Sequence, residues 1–211
     1  MVPRPPGRGT AACACVMDID LHGLRAHERE AIAFVIRANA EVALSGLRSL
    51  PAGDPHCAMC LWPQDVEDAL DAYPISLCTQ ADRRALLAGT AGRERVRAAW
   101  NPMEFTIEGL PDEFDVRSCD GFDEEERIAA AALIAREVAD PPRWTLDRAA
   151  RQVTRDTPRE LVTPDFVCFT LDPDFSSALL ESLRFAAPPP VVAMLSEAGL
   201  MPDEPPEAAE L

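Results

Sequence analysis

The chain contains no lysine: all 20 basic side chains are arginine, set against 36 acidic ones, and the 211 residues carry a net charge of −16. A P-loop, which needs a lysine on the nucleotide phosphates, is excluded. So is a free-standing nucleic-acid binder that works by neutralising backbone phosphates. Aromatic residues make up 6% of the chain, with a single tyrosine. Long apolar runs are missing as well. The charge-free stretch 185–196 holds three prolines, whereas a membrane-spanning helix needs about 20 apolar residues. Histidine is scarce, with three copies, two of them near the N-terminus. A Ser–His or Cys–His catalytic pair therefore has little material, and no G-x-S-x-G or G-x-G-x-x-G is present.

What the chain does have is 47% apolar and 27% charged residues, enough to bury one core at this length. The seven cysteines (Cys13, Cys15, Cys57, Cys60, Cys78, Cys119 and Cys168) are odd in number. In a chain of this size that argues against a disulfide scaffold and for reduced thiols in a cytoplasmic setting. Residues 1–16 lack any acid and hold three prolines and two glycines. They read as a disordered leader or an over-extended start, too short and alanine-rich in their apolar part for an export signal. Residues 17–201 read as one domain, and 202–211 as an acidic disordered tail.

Periodicity organises the middle of the chain. Residues 21–50 carry an apolar helical stripe through Ile32, Val35, Ile36, Ala43, Leu47 and Leu50, ended by Pro51, Gly53 and Pro55. Residues 56–62 and 75–79 read as strands, and Thr79 as the N-cap of a helix over 80–88 with Asp82 in its first turn. Gly89 and Gly92 mark that helix's end, and 105–107 is a third strand candidate. Residues 123–139 form a helix with three glutamates at its start, where the helix dipole favours negative charge. Its apolar stripe is expected along Ile128, Ala131, Ala132, Ala135 and Val138, with Leu133 opposite. Pro141 and Pro142 stop it, and Thr145 caps the next helix, 145–153. Residues 166–171 are apolar on both faces, as in a central strand. Helices over 174–185 and 191–198 follow, with Gly199 as a C-cap. The mixture without strict βαβ alternation predicts an α+β fold: a small, mostly antiparallel sheet covered by several helices.

Few residue patterns point to chemistry. His56-Cys57-x-x-Cys60 has the spacing of a zinc half-site or a redox dithiol. Zinc needs two more ligands, and no second C-x-x-C or C-x-x-H exists. On a strand, moreover, Cys57 and Cys60 point to opposite faces, so two buried structural cysteines are the expected reading. His22 and His27 are five apart, one more than a zinc-binding helix requires. A carboxylate pair such as Asp120 with Asp123 has no spacing rule behind it. No cofactor and no metal are expected.

Charge is distributed unevenly. Residues 80–100 hold five arginines against two acids, and residues 101–126 hold ten acids against Arg117. Such a field steers basic partners and speeds their association. The candidate contact surface is Asp112, Glu113, Asp115, Asp120, Asp123, Glu124, Glu125 and Glu126, with Trp100 and Phe105 as neighbouring aromatic anchors.

Thr79-Gln80-Ala81-Asp82-Arg83 after a strand, then Trp100-Asn101-Pro102-Met103-Glu104-Phe105, the strand Asp165-Phe166-Val167-Cys168-Phe169 and a closing helix over 191–199 together resemble a group of uncharacterised bacterial α+β domains of unknown function. Some relatives in that group are suspected immunity proteins that neutralise a toxin of the same strain. The likeness spans about residues 17–200 and implies no particular site residue. Its implication is a binding role more than an enzyme's. With the charge, the cysteines and the lack of long apolar runs, the chain reads as a cytoplasmic, non-enzymatic protein that contacts a basic protein partner through its acidic surface, with no nucleic acid and no membrane involved. The alternative is a metal or thiol-redox protein built on His56, Cys57 and Cys60.

Overall fold

A computed structural model of the chain describes residues 25–51, 53–63, 72–108, 124–137, 141–171 and 178–203. The expected leader, most of the acidic tail, and Asp112, Glu113, Asp115, Asp120 and Asp123 lie outside the described residues.

The architecture is α+β. In chain order the described elements are helix α1 (Ala26–Ser49), strands β1 (His56–Pro63) and β2 (Ala72–Thr79), helices α2 (Gln80–Leu87) and α3 (Gly92–Ala99), the two-residue strand β3 (Ile107–Glu108), helices α4 (Glu124–Glu137) and α5 (Pro141–Asp156), strand β4 (Val162–Thr170), and helices α6 (Ala178–Ala186) and α7 (Pro189–Glu197). The sheet order is β3-β2-β1-β4. The first two pairings are antiparallel, but β1 and β4 run parallel, so the sheet is mixed. A parallel neighbour requires a long crossover, and here the chain from β2 through α5 supplies it.

β4 is an edge strand, not the central one its composition suggests. It is apolar on both faces because helices α5, α6 and α7 pack against it. Edge strands expose unpaired backbone amides. Two of those on β4 are met by helix side chains: Cys168 N–H donates to Thr154 Oγ1 of α5 at 2.9 Å, and Thr170 N–H to Ser182 Oγ of α6 at 2.9 Å. Asp147 of α5 completes the arrangement by accepting hydrogen bonds from the Thr170 and Ser182 hydroxyls. Another strand therefore finds those donors already occupied.

The main core joins α1, the sheet, α5, α6 and α7, with Leu47, Met59, Leu61, Leu77, Leu146, Phe169, Leu183 and Leu195 fully buried. Each such apolar side chain contributes about 1.5–3 kcal/mol through the surface it removes from water. Gly199 follows α7 at φ +65°, a left-handed conformation that favours glycine. The turn brings Leu200 N–H to Leu195 O at 2.8 Å. It also buries Leu200, whose carbonyl accepts the Trp100 indole N–H at 2.6 Å.

Two local expectations change, and one further helix is found. Pro141 and Pro142 open α5 rather than merely ending α4, because proline suits a helix's first turn, where backbone N–H groups have no partner anyway. Thr145, expected as the cap, is buried inside that helix. Residues 92–99 form α3, an arginine-rich helix whose thin apolar side ends in Ala99 and Trp100.

Candidate functional site

Trp100 and Phe105, expected as exposed anchors, are 1% and 2% exposed. Both pack edge-on against Phe169, at ring-centroid distances of 5.2 and 6.5 Å. The correction has a simple cause: in a chain this poor in aromatic residues, large rings are the best available core fillers. The exposed apolar side chain of that stretch is Met103.

Of the acidic residues, Glu124, Glu125 and Glu126 form the first turn of α4, and Glu125 is exposed. The helix sits differently from its expected stripe. Ala130 and Ile134 are buried against Ile32, Val35 and Trp144, with Ala131 and Leu133 partly buried beside them. Ile128, at 54% exposure, Ala132 and Ala135 face outward. An alanine-rich helix is apolar on nearly every side, so the shape of the facing surface on α1 and α5 chooses which side is covered. What remains is an apolar outer face that begins at an acidic helix start.

The basic stretch does not pair with the acidic one among the described residues. Arg83 bonds Asp165 at 2.7 Å, Arg93 approaches Asp203 at 3.4 Å, and Arg95 Nε reaches the Ala198 carbonyl at 3.4 Å.

The second cluster lies where β1 and β2 meet α2. Thr79 caps α2 as expected: its hydroxyl accepts Asp82 N–H at 3.1 Å, and Asp82 in return accepts Thr79 N–H at 3.1 Å. Strand register slips between His56 and Ala58, so Cys57 is the bulged residue opposite Cys78 and Thr79. Its thiol donates to the Cys78 and Thr79 carbonyls, each at 3.3 Å. The Arg83 guanidinium is buried and donates to Asp165 and to the Cys57 carbonyl, both at 2.7 Å. It also lies 5.4 Å over the Trp100 ring. Burial lowers the His56 imidazole below its ordinary range, against the opposing pull of Asp54 and Asp82, which keeps it neutral.

Cys57 and Cys60 are both buried but have different surroundings. The Cys57 thiol is hydrogen-bonded to the Cys78 and Thr79 carbonyls, whereas burial pushes the Cys60 thiol well up, with the Leu171 backbone opposing it. Cys168 is raised in the same way, by burial and then by Cys60. Among the described residues, no group of three or more His, Cys, Asp or Glu side chains is placed to hold a metal ion, and no helix is long and apolar enough to cross a membrane. The signal that could have found the cross-strand pair was present in the sequence. It was the placing of Cys57 and Cys78 near the far ends of two antiparallel strands, hidden by the bulge that shifts the register. No known protein family matches the chain, and neither a curated protein nor a solved structure does.

Proposed function

We propose that this protein works by binding a basic protein partner, with the start and outer face of α4 as the contact surface. The observation that carries the reading is the exposed Ile128 and the outward alanines directly after an acidic helix start, in a chain of net charge −16. Exposed apolar residues beside like charges make a surface that attracts a basic protein over distance and then gains from desolvation on contact. The likeness to immunity-type bacterial domains points the same way and names the kind of partner: a basic toxin held inactive by its cognate inhibitor.

Co-purification from the native host, with the partner identified and then purified, supplies the binding assay. Neutralising the helix start in the triple variant Glu124→Gln, Glu125→Gln, Glu126→Gln is expected to weaken affinity about tenfold or more, and chiefly to slow association. Ile128→Ser is expected to speed dissociation. Unchanged affinity in both variants would remove this surface from the account.

A further inference from the structure

The β1–β2 bulge does more than kink the sheet. It delivers two thiols from adjacent strands to one point. Cys57 Sγ lies 3.3 Å from the carbonyl oxygens of both Cys78 and Thr79, and Cys78 Sγ lies 3.5 Å from the Thr79 oxygen. Both thiols therefore converge on the Thr79 carbonyl oxygen. Cys78 immediately precedes the N-cap of α2, so its sulfur sits at the positive end of that helix. Above the pair lies the Arg83 guanidinium, 93% removed from solvent as a side chain, with its Nε–H buried and without a hydrogen-bond partner. A buried arginine donor left over beside a thiol pair has an obvious acceptor in a thiolate.

We propose that Cys57 and Cys78 are a redox-active dithiol that closes reversibly to a disulfide across the β1 bulge when hydrogen peroxide reaches it. The site is independent of the binding surface on α4. The two cysteines divide the work. Cys78 directly precedes the N-cap of α2, whose positive end favours a thiolate, and is the nucleophile. Cys57, whose thiol is directed at the Cys78 and Thr79 carbonyls, is the resolving thiol.

The chemistry balances in two steps. The Cys78 thiolate attacks one oxygen of hydrogen peroxide and the O–O bond breaks. The departing hydroxide takes up a proton to become water, which leaves a sulfenic acid on Cys78. Cys57 sulfur then attacks the Cys78 sulfur. An S–S bond forms, the S–O bond breaks, and the leaving hydroxide takes the Cys57 proton as a second water. Two thiols are oxidised by two electrons in total, and one peroxide is reduced. Both sulfurs are buried, which selects a small oxidant over a bulky disulfide. A thiol reductant restores the pair.

The test uses the reduced full-length chain treated with stoichiometric hydrogen peroxide. Remaining thiols are alkylated in denaturant, and the product is cleaved ahead of Asp65 so that Cys57 and Cys78 fall on separate peptides. The expected product is a Cys57–Cys78 crosslink that dithiothreitol reverses, with Cys60 and Cys168 recovered as alkylated thiols. In Cys57→Ser, which keeps a hydrogen-bond donor at the bulge, the expected product is a Cys78 sulfenic acid trapped by dimedone. Arg83 is left intact because its loss would strand Asp165. Recovery of Cys57 and Cys78 as free thiols, or a Cys78 crosslink to Cys13, Cys15, Cys60 or Cys119 in their place, would overturn the assignment. So would a Cys57→Ser protein that retains wild-type circular dichroism but gives no dimedone adduct.

Discussion

Asp147 loses nearly all contact with water on folding, its side chain being 3% exposed, yet it is a carboxylate with an edge strand depending on it. Burial raises its pKa above the ordinary 3.8; hydrogen bonds from Thr170 and Ser182 and the charges of Arg143 and Arg148 hold that rise back. The consequence for stability has a definite sign. The folded protein holds this proton more tightly than the unfolded chain does, so the stability contributed is fully present below pH 3.8 and is lost as pH rises through the higher folded value. The difference in unfolding free energy between wild type and Asp147→Asn, from urea titrations at a series of pH values, is expected to shrink as pH rises through that window. Asp147→Ala leaves two buried hydroxyls without their acceptor and is expected to cost about 2–5 kcal/mol. Little of this was visible in the sequence, where Asp147 is one acid among 36. Burial and partners 23 and 35 residues away single it out, and no local pattern encodes those.

At the scale of elements, helices α1 and α4 show two ways in which local sequence meets tertiary demand. Arg25 is the N-cap of α1, and Glu28 accepts both the Arg25 backbone N–H and its guanidinium, each at 2.7 Å. These bonds lower the Glu28 pKa to about 2 from 4.5. A lowered folded value means the stabilisation is complete above pH 4.5 and fades as pH falls towards 2. Amide exchange over residues 26–30 is expected to accelerate across that acid range in wild type, and Glu28→Gln should show no such acceleration. In α4 the two faces make opposite predictions. Ile134→Ala opens a cavity against Trp144 and the α1 side chains and is expected to cost about 2–5 kcal/mol. Ile128→Ser, on the outward face, is expected to change stability by no more than about 0.5 kcal/mol. Comparable losses for the two substitutions in urea denaturation would show that the outward face is covered. The helix itself was legible from its acidic start and unbroken alanine run. Its orientation was not, because alanines at 129–132 and 135 give periodicity little contrast to read.

For the whole molecule, the governing quantity is the excess of 16 negative charges. Such a field acts over about 8 Å at physiological salt before screening removes it. Binding of the basic partner proposed above is therefore expected to slow in association as salt rises, with dissociation far less affected. Stopped-flow rates between low and high salt check this. A salt-independent association rate would mean that contact is made by shape and apolar surface alone. The fold keeps charges of both signs accessible: Arg93 and Asp203 meet as an exposed pair, whose contribution to stability is small in water. Among the described residues, Arg83 with Asp165 and Arg143 with Asp147 each set one buried side chain against a half-buried partner.

Sequence alone determined the features that depend on near neighbours: the α+β class, the long first helix, Thr79 as a cap with Asp82 answering it, and Gly199 at a helix end. Each rests on chemistry within one or two turns of chain, where spacing and side-chain type suffice. Only the tertiary structure decided the rest. It set β4 parallel to β1 at the sheet edge, buried Trp100 and Phe105, turned Ile128 outward, and directed the Cys57 thiol at the Cys78 and Thr79 carbonyls. These outcomes depend on which distant surfaces meet and on how volume is filled between them, and a one-residue bulge is enough to redirect a side chain that alternation would have placed elsewhere.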